Sequence, residues 1–304
     1  MAADARAAES PLVSVVIPAH NAGWCIRRAV DSALGQDYAR REVIVVNDGS
    51  TDDTRSVLEA YGDAITRIDQ RNAGMSAARN AGIRAASGAY VAFLDADDAW
   101  LPGKLSRQVE LMESRPEVGF CSTAARVEDD QGRLLNAWPC SSGGTDILAT
   151  LFAHNAAIAG GTSAVMVRSS LFERVGLFDE RLRGFEDPDL WLRLAAVSRY
   201  ACIDETLVVV LRREGSVSRN VEAMRASALH SLRKNRTLLP ASLRGAFWRD
   251  CMARVYTDYA KAAYRAGRLS AAYADTFRAL LLSPFGRGRL CLGLLRDFLL
   301  RRPL

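Results

Sequence analysis

The chain has no hydrophobic run long enough to cross a lipid bilayer. A spanning helix needs about 20 consecutive apolar residues, whereas the longest apolar stretches here, such as residues 207–211, have the length of a strand. The first ten residues also lack the apolar segment of a secretory signal peptide. We therefore expect a protein that is not secreted and that works in the cytoplasm.

Cysteine and histidine are scarce, with six and three residues in a chain of 304. No two cysteines form a C-x-x-C pair, so we do not expect a zinc site. Scattered cysteines in a chain without a signal peptide are mostly reduced. We predict that these six are small hydrophobic residues of the core. They are Cys25, Cys121, Cys140, Cys202, Cys251 and Cys291.

The composition has no extreme of polarity, but its charge is unevenly distributed. With 49% hydrophobic and 25% charged residues, the chain is neither disordered, collagen-like nor a multi-span membrane protein. Residues 221–304 contain 16 Lys and Arg against 5 Asp and Glu, a net charge of +11. Residues 1–220 contain 24 against 30, a net charge of -6. The sequence therefore predicts an acidic body with a basic C-terminal region.

Short β-branched runs alternate with helical patterns over residues 12–115. The runs are VSVVIP, EVIVV, AITRID and YVAFL, and the helical patterns that follow them cover residues 24–34, 53–61, 75–86 and 104–113. This alternation predicts a largely parallel sheet, and the near-continuous apolar strands predict helices on both of its faces. Ligands bind such sheets beyond the carboxyl ends of the strands. Polar residues gather there, at 18–21, 47–53 and 95–98.

The pattern loosens after residue 115. A strand is predicted near residues 164–167 and a helix over residues 189–197. From about residue 223, Ala, Leu and Arg recur at helical spacing, and no strand signal follows Arg212. We therefore predict an α/β fold with a C-terminal helical extension.

Three carboxylates follow the fourth predicted strand within four residues. They are Asp95, Asp97 and Asp98 of YVAFLDADDAW. Like charges this close together are costly unless a cation joins them. Mg²⁺ or Mn²⁺, held by one or two carboxylates and a diphosphate, is the simplest candidate. The motif is short, and the same residues could also form a solvated loop that caps the next helix.

Four segments in order resemble the family 2 glycosyltransferases, inverting enzymes with a GT-A fold that use nucleotide-activated sugars. The segments are VSVVIPAHN, VIVVNDGSTDDT, RNAGMSAARNAGI and GAYVAFLDADD. The resemblance extends over residues 11–218. Three domains are predicted: a flexible N-terminus at 1–10, a GT-A domain at 11–220 and a basic helical region at 221–304. The GT-A domain is divided into a nucleotide-binding half at 11–115 and an acceptor and base half at 116–220.

The resemblance implies a nucleotide site, residue by residue. Pro18, Ala19 and His20 match the segment that lines the nucleobase, where the family often has an aromatic residue in place of His20. Asp48 resembles the carboxylate that accepts a hydrogen bond from a uracil-like base, which favours a UDP-sugar as donor. Asn47 stands where the family often has a second carboxylate. The residues that close over the nucleotide are Asn72, Gly74 and Arg79, of which Arg79 could also be a surface salt-bridge partner.

The family pattern also implies a metal ligand and a general base. Asp95 is assigned to the ribose and Asp97 to a cation that neutralises the leaving diphosphate. Glu186 and Asp187 of GFEDPDLWLRL resemble the family's Glu-Asp pair. Asp187 would deprotonate the acceptor hydroxyl, with Glu186 orienting the acceptor or the base. An isolated E-D-P-D would instead indicate an acidic helix N-terminus.

Three further residues are candidates for contacts with the acceptor or the diphosphate. Thr162 and Ser163 of GGTSAVMVR could touch the acceptor, although a turn that glycine permits explains them equally well. Arg213 stands where many relatives have a histidine that contacts metal or diphosphate. Because arginine pairs with phosphate but does not ligate a cation, we predict at most a diphosphate contact for Arg213.

The tail SPFGRGRLCLGLLRDFLLRRPL mixes apolar residues with arginine. Two interpretations stay open. The tail could be an amphipathic helix on an anionic membrane surface, where each nearby basic residue contributes about 1 kcal/mol. It could also pack its leucines on the catalytic domain. No nucleic-acid-binding motif is interleaved with the arginines, so we do not expect a nucleic-acid partner.

We therefore predict a metal-dependent transfer of a sugar from a nucleoside-diphosphate sugar to a hydroxyl on a glycan or lipid-linked acceptor, in cell-envelope polysaccharide or glycolipid synthesis.

Two alternative functions have less support in the sequence. A sugar-phosphate nucleotidyltransferase needs a glycine-rich phosphate loop with a basic residue after the first strand, which PAHNAG lacks. A non-catalytic nucleotide-sugar-binding protein would not need the intact Asp48, Asp95, Asp97 and Asp187.

Overall fold

The computed structural model describes residues 10–140, 147–154, 158–212 and 221–302. These residues form two compact units. The first unit holds the described residues of 10–140, 158–180 and 197–212, and the second holds those of 147–154, 181–196 and 221–302. The domain bounds predicted from the sequence stay a prediction.

A nine-stranded sheet organises the first unit. Its strands are β1 Val13–Ala19, β2 Arg41–Asp48, β3 Thr66–Gln70, β4 Tyr90–Phe93, β5 Ala99–Trp100, β6 Val118–Glu128, β7 Leu134–Trp138, β8 Met166–Arg168 and β9 Arg199–Leu211. The order is β3-β2-β1-β4-β8-β6-β9-β5, and β7 also pairs with β6. The first four strands in this order are parallel, as predicted. The second half is mixed, because β8 runs antiparallel to both β4 and β6.

The parallel register brings the polar ends of the first strands to one edge of the sheet. Ala19 lies opposite Asn47, and Asp48 lies opposite Gln70. Strand β4 ends at Phe93 in register with the middle of β1. The acidic loop after β4 therefore emerges at the same edge, which is where ligands bind open parallel sheets.

Helices cover both faces of the parallel strands. In chain order the described helices are α1 Ile26–Leu34, α2 Thr54–Glu59, α3 Met75–Ala85, α4 Lys104–Ser114, α5 Ile147–Ala153, α6 Leu171–Val175, α7 Glu186–Ala195, α8 Val221–Lys234, α9 Ala246–Arg265, α10 Leu269–Leu282 and α11 Pro284–Leu299. Val15 and Val45 belong to the main core cluster, which includes residues of α1. Ile44 and Val46 pack on Ala78 of α3 in a separate cluster. Successive residues of β2 thus point into different clusters, so both faces are buried, as the continuous apolar runs predict.

The second unit is helical among its described residues. Helices α9, α10 and α11 share a small core that includes Ala260, Ala272 and Phe298. Helix α7 begins at Glu186, earlier than the predicted start, and Pro188 lies in its first turn, where its missing N–H is tolerated. Across the described ranges, no helix combines the length and the apolar character that crossing a bilayer requires.

Two of the six cysteines are joined, which corrects the prediction that all are reduced. Cys140 and Cys202 form a disulfide, with their Cα atoms 6.0 Å apart and a separation of 62 positions in sequence. Cys140 follows β7 and Cys202 lies in β9, and both strands pair with β6. The fold therefore brings together cysteines whose spacing gave no signal. Cys25, Cys121, Cys251 and Cys291 are free and buried, as predicted.

Candidate active site

The ends of β1, β2 and β3 bring His20, Asp48 and Asn72 together. Nδ1 of His20 lies 2.8 Å from the backbone oxygen of Asp48, so Nδ1 carries the proton. Nε2 of His20 lies 3.1 Å from the side-chain nitrogen of Asn72. Pro18 and Ala19 are buried at the end of β1 and hold His20 at its edge. The residues assigned to the nucleobase are thus neighbours, and their role stays a prediction.

The buried carboxylate of Asp48 fixes the segment that leads into α3. One oxygen accepts hydrogen bonds from the side chain of Gln70 at 2.7 Å and from the N–H of Ala73 at 2.8 Å. The other oxygen accepts from the N–H of Gly74 at 2.8 Å. A carboxylate has about four acceptor positions. Asp48 can therefore organise this segment and still accept one further N–H, such as that of a uracil-like base.

Glycine is required where the segments after β2 and β3 approach each other. Gly49 has φ +67°, and a Cβ at this position would lie 2.5 Å from the backbone nitrogen of Asn72. Gly74 has φ +94° directly before α3. Both conformations favour glycine. The NDGS and RNAG segments of the sequence therefore have a common structural reason for their glycines.

Arg79 supports Asp95 from inside the protein. The Arg79 side chain is 2% exposed, and its guanidinium donates to the Asp95 carboxylate at 2.7 Å. The guanidinium also lies over the ring of Phe178, 5.4 Å from the ring centre. This burial excludes the alternative of a surface salt bridge. Arg79 instead neutralises and orients the carboxylate that the sequence assigns to the ribose.

Asp98 is the buried member of the three carboxylates. One of its oxygens accepts a hydrogen bond from the Ser163 hydroxyl at 2.5 Å, and the other accepts from the N–H of Leu211 at 3.0 Å. Burial, followed by the charges of Asp95 and Asp97, raises the pKa of Asp98 well above its usual value. These contacts tie the acidic loop to β9 and to the turn before β8. Asp98 is therefore a structural support of this loop.

The residues present fit a divalent cation at Asp97. Asp97 lies between two other carboxylates, Asp95 and Asp98, and the charges of Asp95 and Asp97 add to the effect of burial in raising the pKa of Asp98. A cation would relieve the repulsion among these groups. Asp95 is already paired with Arg79, and Asp98 is bonded internally. In the part of the chain that the structure describes, no group of three or more His, Cys, Asp or Glu side chains could hold a metal. A cation at Asp97 would therefore take most of its ligands from a diphosphate and water, as Mg²⁺ commonly does.

Asp97 also lines a cavity of about 560 Å³ in the first unit. The cavity lies between the start of α1, the turn after β6 and the end of β9. Its other lining residues are Trp24, Cys25, Arg27, Arg28, Asp31, Asp130 and Leu211. Arg28 also forms an ion pair with Glu128, at 3.7 Å. This cavity could not be predicted from the sequence, because its walls come from four separate stretches of chain.

Glu186 and Asp187 lie in the first turn of α7, in the second unit. Phe185, directly before them, has φ +69°, which is a strained conformation for an aromatic residue. This conformation sets the direction in which the chain enters the helix. Glu186 is buried and Asp187 is partly buried. The structure therefore places this pair at a helix N-terminus, and its catalytic role stays a prediction.

Asp189, two residues beyond Asp187, was not singled out from the sequence. Its fully buried carboxylate accepts from Ser231 at 3.0 Å and from Asn235 at 2.8 Å. It also pairs with Lys234 and Arg193, each at 2.9 Å. These partners, apart from Arg193, belong to α8 and the residue after it. Asp189 therefore fastens the start of α7 to the end of α8.

The remaining predicted contacts have different outcomes. Ser163 is fully buried, and its hydroxyl donates to Asp98 and accepts the N–H of Asp95 at 3.0 Å. The structure thus assigns Ser163 an internal contact in place of the expected contact with an acceptor. Thr162 is also buried, at 3% exposure. Arg213 lies outside the described residues.

Comparison with known sequences gives a family match and several relatives. Residues 14–174 match the profile described as Glycosyl transferase family 2. An uncharacterized glycosyltransferase of Rickettsia prowazekii is 34% identical over 203 residues, which cover 66% of this chain and 63% of that protein. The Escherichia coli UDP-Glc:alpha-D-GlcNAc-diphosphoundecaprenol beta-1,3-glucosyltransferase WfaP is 38% identical over 121 residues, which cover 39% of this chain and 48% of that protein. The chain thus spans less than two-thirds of the length of either relative.

Comparison with solved structures gives similar folds. S. aureus TarS 1-349 in complex with UDP-GlcNAc superposes with a TM-score of 0.59 at 17% identity, covering 89% of this chain and 91% of that fragment. The mannosyltransferase PcManGT from Pyrobaculum calidifontis, in complex with GDP-Man and Mn²⁺, superposes with a TM-score of 0.57 at 21% identity, covering 97% of this chain and 88% of PcManGT. At these identities the likeness shows the fold alone.

Proposed function

The chain belongs to glycosyltransferase family 2, and we propose that it transfers a sugar from a nucleoside-diphosphate sugar to a hydroxyl acceptor with inversion at the anomeric carbon. The family profile matches more than half of the chain, residues 14–174, which confirms the glycosyltransferase class expected from the sequence. The expected GT-A fold is confirmed by the superpositions on glycosyltransferases. The donor, the acceptor and the roles of single residues belong to the proposal.

The observation that carries the proposal is the arrangement of the carboxylates after β4. Arg79 neutralises Asp95, Ser163 holds Asp98, and Asp97 lines the cavity. These neighbouring carboxylates therefore have separate environments. This division supports the assignment of Asp95 to the ribose and Asp97 to a cation and the diphosphate.

A nucleoside diphosphate leaves readily only when its developing charge is stabilised. A divalent cation, Mg²⁺ or Mn²⁺, bound at Asp97 would supply this electrostatic stabilisation. Asp187 accepts the proton of the acceptor hydroxyl while the oxygen of that hydroxyl bonds to the anomeric carbon. The bond between the anomeric carbon and the diphosphate breaks in the same step. Glu186 orients the acceptor or the base. Arg213 would add a contact to the diphosphate.

A UDP-sugar is the favoured donor. The free acceptor position of Asp48, beside His20 and Asn72, suits the N–H of a uracil-like base. WfaP carries UDP-Glc in its name, and TarS was solved with UDP-GlcNAc, whereas PcManGT was solved with GDP-Man. The name of WfaP also includes a diphosphoundecaprenol acceptor. This supports a glycan or lipid-linked acceptor in cell-envelope polysaccharide or glycolipid synthesis.

We place this activity in the cytoplasm, at the inner face of an anionic membrane, and without a nucleic-acid partner. A lipid-linked acceptor would be reached at such a surface. The net charge of +11 over residues 221–304 supports attraction to anionic lipid.

The test is a screen of the purified full chain for nucleotide release from UDP-, GDP- and dTDP-sugars. Each donor is assayed with a panel of glycan and polyprenyl-diphosphate acceptors, in Mn²⁺, in Mg²⁺ and in EDTA. We expect UDP release that depends on both the acceptor and the cation. Release from a GDP-sugar alone would overturn the base assignment, and release from a dTDP-sugar alone would overturn the choice of a UDP-sugar. Full activity in EDTA would overturn the cation. No release from any combination would contradict the proposed transfer.

A further inference from the structure

Helix α11 has a buried face that fixes it in the second unit. Its buried residues are Gly288, Cys291, Leu294 and Phe298, spaced three or four apart. The ring of Phe298 stacks on Tyr264 of α9 with ring centres 4.5 Å apart. It also meets the ring of Tyr273 of α10 edge-on, at 5.6 Å. One side of the predicted tail helix therefore packs on α9 and α10 of the second unit, and the interpretation that it packs on the catalytic domain stays a prediction.

The opposite side of α11 is a regular exposed stripe of apolar and basic residues. We call it the outer stripe, and its members are Phe285, Arg289, Leu292, Arg296 and Leu299. Their spacing of four, three, four and three residues keeps them on one side of a helix. Phe285 is 102% exposed, Leu292 60% and Leu299 76%. Apolar side chains this exposed and this regularly placed indicate an interaction surface.

The start of α11 is anchored, so the outer stripe is held in place. The Ser283 hydroxyl donates to Asp250 of α9 at 2.7 Å. Arg287 donates to the same carboxylate at 3.2 Å and is therefore engaged inside the second unit. Phe285 lies between these two anchors. Leu281, at the end of α10, is 83% exposed and precedes the anchored bend.

The charge around the outer stripe selects its partner. Residues 276–302 contain six arginines and one acid, Asp297, which pairs with the exposed Arg296 at 3.1 Å and leaves a net charge of +5. Arg278 and Arg287 are paired with Asp275 and Asp250 inside the second unit. An acidic surface would complement these charges, whereas a second copy of α11 would bring arginine against arginine. Alternation of arginine with Phe and Leu also suits a helix that lies in the plane of a lipid headgroup layer.

We propose that the outer stripe of α11 docks the protein onto an anionic lipid surface. Phe285, Leu292 and Leu299 enter the boundary between headgroups and acyl chains, and Arg289 and Arg296 contact lipid phosphates. This proposal deepens the membrane placement within the proposed function by naming the residues that make the contact. Lipid binding can be measured without sugar transfer, so the two proposals can fail separately.

Substitutions on the outer stripe test the proposal better than removal of the tail. A truncation at Ser283 would also delete Leu294 and Phe298 from the core of the second unit, and it would mix unfolding with loss of binding. The exposed stripe can instead be changed by two double substitutions, Phe285→Ser with Leu292→Ser, and Arg289→Gln with Arg296→Gln. Matched controls are Leu134→Ser with Leu135→Ser, which are exposed on β7, and Arg115→Gln with Arg249→Gln, which are exposed elsewhere.

Co-sedimentation of the full chain with vesicles gives the readout. Vesicles of phosphatidylcholine alone are compared with vesicles containing one part phosphatidylglycerol to two of phosphatidylcholine, across a salt series. We expect binding to the anionic vesicles only, weakening as salt is added. The Arg289→Gln with Arg296→Gln variant should bind about 25-fold more weakly, since each basic residue contributes roughly a factor of five. The Phe285→Ser with Leu292→Ser variant should bind at least about 10-fold more weakly, because it removes apolar groups that would be buried at about 0.8 kcal/mol for each CH₂. Both controls should bind like the unchanged chain, and thermal unfolding should be unaltered in all four variants.

Three results would overturn the proposal. The first is equal binding by the stripe variants and their controls, and the second is equal binding to neutral and anionic vesicles. The third is a dimer in analytical ultracentrifugation that the Phe285→Ser and Leu292→Ser variant abolishes, which would make the outer stripe a contact between two copies of the chain.

Discussion

The hydroxyl of Ser163 donates to the buried carboxylate of Asp98 at 2.5 Å. The same hydroxyl accepts the backbone N–H of Asp95 at 3.0 Å. One side chain from the turn before β8 thus holds two residues of the loop after β4. This bridge sets the position of Asp97 between them, the residue that we assign to the cation.

Ser163→Ala should loosen the acidic loop. It removes a donor from a buried carboxylate, which costs about 1 to 3 kcal/mol of unfolding free energy. We expect a higher Mn²⁺ concentration for half-maximal transfer as well, because Asp97 is held less firmly. Urea unfolding and a Mn²⁺ titration of transfer measure the two effects. Ser106→Ala, which removes a less buried hydroxyl bonded to Asp37, is the control, and equal behaviour of the two variants would contradict this role of Ser163.

Asp97→Ala should abolish transfer and the dependence of nucleotide affinity on cation. Its carboxylate is proposed to act through the cation, and far-UV circular dichroism checks that the variant keeps its fold. Calorimetric titration of UDP with and without Mn²⁺ measures the loss. Asp130→Ala removes an exposed carboxylate from the wall of the same cavity and should leave both properties intact. Near-normal turnover of the Asp97 variant would refute the assignment.

Local signals in the sequence explain which parts of the fold could be predicted. The strands β1 to β4 are short apolar runs separated by helical patterns, and their parallel order follows from that alternation. The 11-residue strand β6 gave a looser signal because its long pairing with β9 joins segments about 80 residues apart. The disulfide between Cys140 and Cys202 depends on the same distant pairing.

In the candidate site too, some features could be predicted from local sequence and others could not. Asp48, Asp95 and Asp97 follow strands directly, so their common edge could be predicted. The partners that give each carboxylate its environment lie elsewhere in the sequence: Arg79 is 16 residues from Asp95, and Ser163 is 65 residues from Asp98. Asp189 reads in sequence as an acid at a helix N-terminus. Asp189 is buried and paired with charged and polar side chains only because α8 packs against α7.

Asp187→Asn should reduce kcat by roughly 10²- to 10⁴-fold, because the amide keeps the shape of the side chain but cannot accept the proton. Donor affinity should change little. Steady-state kinetics with the best donor, together with UDP titration, separate the two effects. Glu222→Gln, an exposed acid of the second unit, is the control. A variant with weaker donor binding and unchanged kcat would move Asp187 from catalysis to binding.

Lys104→Met should flatten the dependence of stability on pH. The Lys104 ammonium is fully buried, 4.0 Å from the centre of the Trp100 ring, and it donates to Gln108 at 2.7 Å. Burial lowers the pKa of Lys104 from 10.5 to about 7.

Between pH 7 and 8.5 the folded chain has released this proton while the unfolded chain still holds it, so stability rises with pH. The neighbouring Cys121 thiol acts weakly in the opposite direction, because burial raises its pKa to about 12 whereas the unfolded thiol begins to release its proton near pH 8.5. This contribution is present in all three chains compared below. The rise is on the order of 1 to 2 kcal/mol. Urea unfolding at the two pH values should show this rise in the unchanged chain and in Lys261→Met, a partly exposed control, but not in Lys104→Met. An equal rise in all three chains would show that other groups cause it.

Asp189→Ala should destabilise the second unit strongly. The substitution leaves Lys234 and Arg193 without their shared carboxylate. It also removes the acceptor of the Ser231 hydroxyl and the shorter of the two hydrogen bonds that the Asn235 amide donates. Breaking a buried ion pair from one side costs about 3 to 5 kcal/mol. Lys234→Met is the matched change on the other side of the pair, and it should cost less because Asp189 keeps its three remaining partners. Urea unfolding measures both, and a loss below about 1 kcal/mol for Asp189→Ala would mean that α7 is held mainly by its apolar face, through Leu190, Trp191 and Leu194.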